Sequence, residues 1–464
     1  MTIDMSPAYS PGWWLNTLLV ELGSRQDRLT NLYEYYRGEQ SGPWGPTNTE
    51  AYQRFQSKAR TNWASLIVEA TRERMAVVGF RTGADADDLG DREADRIWRA
   101  NDMGVQSMRL HRAKLSMGDA YAMVGPVDPR IGAPRITVED PRTCITSDDP
   151  ADHRRPRAAL KVVRDSVMGR DVARLFLPRD DGRAVMLTAT RDVPRQIEST
   201  GFDWTAAGFD WQPQGVVFPA FPVVRFPNRA GVDGLSLGEF EDVIDDIDRI
   251  DLMILQRMMV AVMQAFRQRA VKGDLPHTDP ETGEAVDWAS LLKADPGALW
   301  NLPAGIELWE SSGVDLTPIL ESVKADVRDL AATTRTPMFY ITPDAAGGSA
   351  EGASLQREGL IFKARDRIEE TTDPWGQTMA TAFLMAGDTA RADRSQIEVI
   401  WQPPERFSLA ERYDAAAKAQ AAGVPWRTVM LDVLQFTPPQ VDKMEAQRVA
   451  DSFVLPPTGV AAAG

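Results

Sequence analysis

Sulfur and imidazole are scarce in this 464-residue chain, which has one cysteine, Cys144, and three histidines, His111, His153 and His277. A single thiol cannot close a disulfide within the chain, which fits a reducing compartment. Cys144 reads as a small buried residue rather than a nucleophile. No histidine lies at metal-ligand spacing from another or from Cys144, so no zinc site is expected. The spacing G-x-S-x-G occurs at Gly234–Gly238, but its Ser236 reads as a helix cap rather than a nucleophile, which leaves a serine hydrolase with little support. Long apolar runs are missing too. Met258–Phe266 comes nearest, and Arg257 and Arg267 bound it, so no membrane span is expected. Trp13-Trp14-Leu15 has no basic flank or apolar core of a cleavable signal before it. Basic residues are outnumbered, with 52 Lys+Arg against 67 Asp+Glu and a net charge of −15. That balance speaks against a protein that coats DNA with a basic face, and it favours solubility.

What is present is ordinary for a globular chain: 43% hydrophobic and 26% charged residues. The length suits about two to four domains, and no internal repeat is found. Leu15, Leu18, Leu19, Leu22, Leu29 and Leu32 recur near a 3.6 period and predict one helix over 13–37, stopped by Gly38. Further helices are expected over 62–77, 92–101 and 105–115. Residues 119–226 then switch to short apolar runs ("AYAMVGPV", "RITVEDP", "AALKVVRD", "VARLFLP", "AVMLTAT") spaced for antiparallel hairpins. A long helix is predicted from Leu237 to about Val271, with Ser236 and Glu239 as its capping box. Residues 273–311 read as a small insert with a strand pair around "ALWNLP" and "IELWES". A helix follows, with Thr317 as N-cap and Pro318 first in the helix, to about Arg335. Ser354–Met385 reads as helical with an interruption at Pro374, Gln396–Trp401 as a strand, and the last sixty residues as short helices with a disordered tail.

Two stretches invite a chemical reading. "ITPDAAGGSAEGAS", Ile341–Ser354, has Gly347 and Gly352 at the spacing of a P-loop. Its position 353 is alanine where a phosphate-binding lysine is required, and Asp344 and Glu351 would repel phosphate. It reads as a glycine-rich linker. The carboxylates at 239–251 would suit a metal-dependent phosphotransfer enzyme or nuclease. Helical geometry instead spreads them over more than one face, beside the apolar stripe Phe240, Val243, Ile244, Ile247, Ile250 and Ile254. The thirteen tryptophans, with Met253, Met258, Met259 and Met263, read as core or interface packing.

The order of segments resembles the portal protein of tailed double-stranded DNA bacteriophages, of the siphophage type. "LYEYYRGEQ", "NWASLIVEATRERMAVVGF", "HRAKLSMGDAYAMVG", "FPVVRFPNRAGVDGLSLGEFEDVIDDIDRID", "TRTPMFYITPDAAGGSAEGASLQREGLIFKARDRIEE" and "VIWQPPERFSLAERYDAAAKAQAAGVP" carry it, over nearly the whole chain. The resemblance implies an α+β, mainly helical, elongated subunit that forms a ring. Its parts would be a wing (1–235 and 355–405), stem helices (236–271 and 312–336), an α/β clip (272–311), a tunnel loop (337–354) and a helical crown with tail (406–464). It implies a dodecamer at one capsid vertex, assembled in the host cytoplasm. Double-stranded DNA would pass through it non-specifically. Terminase large subunit, head-tail adaptor, major capsid and scaffolding proteins would be its partners. No catalytic residue, metal, cofactor or membrane is implied. The tunnel-loop residues would be Thr342, Asp344, Gly347, Gly348, Ser349, Glu351 and Gly352. Glu241, Asp242, Asp245, Asp246 and Asp248 would form an acidic stem face, and Asp287, Trp288, Trp300 and Trp309 a docking surface on the clip.

Overall fold

The computed structural model describes residues 3–43, 50–84, 90–193, 202–265, 269–273, 277–278, 283, 285–288, 307–310, 313–341, 350–405, 409–436 and 438–454. In chain order the helices and strands are α1 (Pro11–Ser24), α2 (Gln26–Arg37), α3 (Glu50–Ala59), α4 (Trp63–Arg72), β1 (Val77–Arg81), α5 (Arg92–Ala100), α6 (Met103–Met117), β2 (Asp119–Asp128), β3 (Ala133–Glu139), β4 (Cys144–Asp149), β5 (Asp152–Asp165), β6 (Arg170–Pro178), β7 (Ala184–Asp192), β8 (Asp210–Trp211), β9 (Val216–Phe218) and β10 (Val223–Pro227). There follow α7 (Ile244–Ala265), β11 (Arg269–Lys272), β12 (Glu307–Glu310), α8 (Thr317–Thr333), α9 (Ala350–Ala386), β13 (Glu398–Trp401), α10 (Leu409–Ala421), a short helical run at 426–433, and α11 (Pro438–Val454). The class is α+β. Two compact units divide the chain: Met1–Gln40, Asn62–Ile244 and Leu330–Gly464 form one, and Ser41–Thr61 with Asp245–Asp329 the other.

In the larger unit, Ser10 caps α1 by accepting a hydrogen bond from the Trp13 amide (3.2 Å), and Pro11 opens the helix. Leu15, Leu18, Leu19 and Leu22 of α1 are fully buried against the antiparallel sheet β4-β5-β6-β7-β8. Strand alternation sends Leu160, Val162 and Leu175 to that side, and Ala159 and Phe176 to the other. There they meet Tyr121 and Val223 of a second antiparallel sheet, ordered β10-β2-β3. Trp98, Leu110, Val124, Phe226, Trp375 and Phe383 make the largest core, from α5, α6, α9 and this second sheet. His111 lies wholly inside it and accepts a hydrogen bond from Trp375 Nε1 (3.0 Å). Burial with Lys114 nearby holds that imidazole neutral, its pKa pushed down to about 3.

In the smaller unit α3 packs on α7 through Ala59 and Leu255, with Phe55 and Met258 beside them. Asp251 accepts from the Thr61 amide (3.0 Å) and hydroxyl (2.5 Å). Strands β11 and β12 pair antiparallel, Arg269 opposite Glu310 and Lys272 opposite Glu307.

Several expectations are corrected. The first helix is two, broken at Arg25, whose guanidinium reaches Asp119 of β2 at 2.6 Å. Helix α7 starts at Ile244, after a 3₁₀ turn at 241–243, not at Leu237. Tertiary partners take the amides a helix would use: Leu237 donates to the Asn228 carbonyl (3.0 Å) and Glu239 to the Leu115 carbonyl (2.8 Å). No capping box forms, because Ser236 Oγ accepts from Arg225 and the Glu239 carboxylate turns inward. "RAVK" at 269–272, expected as the end of the long helix, is strand β11 and pairs with β12; "ALWNLP" lies outside the described residues. Helix α8 begins at Thr317 itself, whose amide donates to Asp315 (2.9 Å). Helix α9 starts at Ala350, earlier than Ser354, and runs unbroken through Pro374. Burial of Trp375, Met379 and Phe383 on one face offsets the backbone donor that proline lacks.

Candidate functional site: the junction at Glu239 and Lys363

Three stretches of the larger unit meet around one carboxylate. The first follows β10. Asn228 is pinned by donating its amide to the Gly118 carbonyl (2.7 Å). Gly118 ends α6 at φ +88, and a Cβ there would sit 2.8 Å from the Ser236 carbonyl oxygen, so only glycine lets the strand-exit segment lie this close. Gly238 has the same constraint, with Ser116 O 2.5 Å from a built Cβ. These contacts carry Glu239 into the interior.

The second stretch is α9, where Lys363 and Arg367 stand one turn apart on the same face. Lys363 Nζ lies 2.9 Å from Glu239 Oε2, and Arg367 Nε 2.5 Å from Oε1. Asn228 Nδ2 donates to Oε1 at 3.0 Å. The carboxylate is 2% exposed and its lysine 5%. Burial alone would raise the Glu239 pKa. The two cations outweigh it and hold the group at about 2.

The third stretch is the end of α8. Lys363 Nζ also donates to the Thr334 carbonyl at 3.1 Å. Thr334 Oγ1 turns back to the Leu330 carbonyl (2.7 Å) and meets Thr336 Oγ1 (3.0 Å). Arg335 between them takes a left-handed conformation, φ +53, which turns the chain out of the helix. A cavity of about 260 Å³ opens beside the junction, lined by Arg229, Asp242, Thr333, Arg335, Lys363 and Asp366 among others. The network continues along α9. Buried Lys114 donates to Thr371 Oγ1 (2.6 Å) and faces Glu370 at 3.5 Å, and burial brings its pKa down to about 8.

The acidic run at 239–251 therefore does not converge on one point. Glu239 goes inward. Glu241 forms a bidentate pair with Arg28 (2.6 Å for both bonds), and Asp242 pairs with Arg229. In the smaller unit Asp246 pairs with Arg249 (3.0 Å), which also reaches Asp326 (3.2 Å). Asp245 and Asp248 are exposed. No group of three or more potential metal ligands occurs among the described residues. Of the loop, Thr342, Asp344, Gly347, Gly348 and Ser349 lie outside the described residues, and the backbone of Glu351 and Gly352 belongs to the first turn of α9. On the insert, Asp287 is exposed, Trp288 half-buried and Trp309 54% exposed on β12, while Trp300 lies outside the described residues. Lys363, Arg367 and Arg225 were not singled out by sequence, where they look like any charged residues on a helix or strand.

The described residues form an α+β chain with a charged joint at Glu239, Lys363 and Arg367. The family model for phage portal protein, SPP1 Gp6-like, matches residues 21–451, and the chain belongs to that family, which is structural rather than enzymatic. Among solved structures, the chain is similar to the neck of a native GTA particle computed with C12 symmetry (TM-score 0.43, 15% identity, 88% of this chain and 99% of that one covered). It is also similar to the neck of an empty GTA particle computed with C6 symmetry (TM-score 0.42, 14% identity, 86% and 95% covered). No curated protein matches it.

Proposed function

We propose that copies of this chain form a ring, twelve in the particle, at one vertex of a phage capsid, around a channel through which double-stranded DNA enters and leaves. The family match over residues 21–451 is the observation that carries this reading. In it the ring docks the terminase large subunit and later a head-tail adaptor, with Trp288 and Trp309 of the insert on the docking face. Capsid and scaffolding proteins surround it.

The charge pattern supports the channel. DNA presents one phosphate charge per about 1.7 Å, so a wall of free lysines would hold it in place. Each copy instead brings a net charge of −15. Asp245 and Asp248 are exposed, and in the sequence Asp344 and Glu351 bracket Gly347 and Gly348 of the loop. In this reading those carboxylates face the channel and keep phosphate moving. Particle size tests the proposal. Negative-stain images and mass measurement of the purified full chain are expected to show axially symmetric rings of several hundred kilodaltons. A species that stays at 51.3 kDa in the presence of capsid and scaffolding proteins would overturn it.

A further inference from the structure

One buried ammonium at the junction touches both places where the chain changes direction. Lys363 Nζ holds the Glu239 carboxylate, five residues ahead of α7, and the Thr334 carbonyl, at the exit of α8. We propose that Lys363 is a positioning residue: it fixes the backbone leaving α8, residues 334–341, to the Glu239 segment, and so sets the base from which the chain continues toward the glycines at 347 and 348. That this base steers DNA rests on the portal reading above; that Lys363 holds it does not.

The side chain is asymmetrically placed for this task. Glu239 keeps two other partners, Arg367 Nε and Asn228 Nδ2, when Lys363 is removed. The Thr334 carbonyl loses a charged donor, and Arg335 in its left-handed turn loses its neighbour's anchor. Removing the ammonium therefore loosens the exit of α8 and leaves the carboxylate satisfied. The 260 Å³ cavity beside Lys363 gives a longer cationic side chain room to reach the same two oxygens.

The experiment uses the full-length assembled protein and three forms: wild type, Lys363→Met and Lys363→Arg. Hydrogen exchange is read at the amides of Thr336, Tyr340 and Ile341, which donate to the Ala331, Pro337 and Met338 carbonyls. Exchange over β5 to β7, residues 152–192, serves as the reference. In Lys363→Met the three amides are expected to exchange about tenfold faster with the reference strands unchanged, and Lys363→Arg is expected to restore them. Unchanged exchange at the three amides overturns the proposal. So does a rise spread equally over the reference strands, which marks general destabilisation. If Lys363→Met does not assemble, Lys363→Gln, which keeps a neutral donor, takes its place under the same criteria. DNA retention in particles is scored separately. Faster exchange with normal retention supports the positioning role and counts against the channel reading, whereas failure of wild type to assemble counts against the portal reading alone.

Discussion

At the scale of single residues, Glu239 is the most consequential ionisable group described. Its pKa of about 2 in the fold lies below the value of about 4.5 for a free glutamate. A depressed carboxylate contributes stability above the unfolded pKa, and that contribution is lost as pH falls through the folded one. The window is therefore about pH 4.5 down to about 2, and the loss is on the order of 3 kcal/mol. Urea unfolding across that range should show a shallower pH dependence in Glu239→Gln than in wild type; parallel curves would refute the assignment. At neutral pH, Glu239→Ala should cost about 3–5 kcal/mol, because it leaves Lys363 and Arg367 buried without their carboxylate. Lys363→Met should cost clearly less. Nothing in "FKARDRIEE" announces this. Lysine and arginine one turn apart are the common dress of an exposed helix face, and only the approach of a distant strand exit makes them interior. Glu239 misled in a different way. It fits a capping box, and tertiary hydrogen bonds to Leu115 and Asn228 displaced that local solution.

At the scale of elements, periodicity was the dependable guide wherever one face packs on a sheet. The leucines of α1 and the alternation of β5, β6 and β7 follow directly from spacing, and both end in the same core. Leu18→Ala should cost about 2–5 kcal/mol by leaving a cavity there. Val20, 53% exposed on the same helix, should change stability by less than about 0.5 kcal/mol when cut to alanine. Denaturant midpoints of the two variants measure the contrast, and equal shifts would mean that α1 does not pack as described. The boundaries that escaped the sequence share one cause. Arg25 breaks a leucine-rich run because its guanidinium is drawn to Asp119, and Pro374 fails to break α9 because Trp375 is anchored in the core. Long-range partners decide both cases, and spacing along the chain carries no record of them. Strand β11 was hidden for a related reason: four residues at the end of an apolar helical stretch become a strand only by pairing with β12.

At the scale of the whole molecule, the order of motifs told more than any one of them. Each quoted segment is weak alone, and the family match runs through all of them. Read singly, the glycine loop is a linker and the acidic run a spread of carboxylates, and only their order along the chain suggests parts of a conduit. The loop reading has its own test. Replacing both Gly347 and Gly348 by proline removes the conformations glycine permits, so rings should still assemble while DNA packaging or retention falls. Normal packaging by that double variant would sink the tunnel-loop role.

The lone thiol has a practical consequence. Cys144 opens β4 with no exposed surface, packed with Tyr121 and Phe176, and burial raises its pKa well above that of a free thiol. It is therefore silent to thiol reagents until the core between the two sheets opens, and its rate of modification is a clock for that opening. The same silence gives a clean background: a cysteine introduced near residue 344 or on β12 would be the only reactive one, so probes at those positions need no cysteine-free parent.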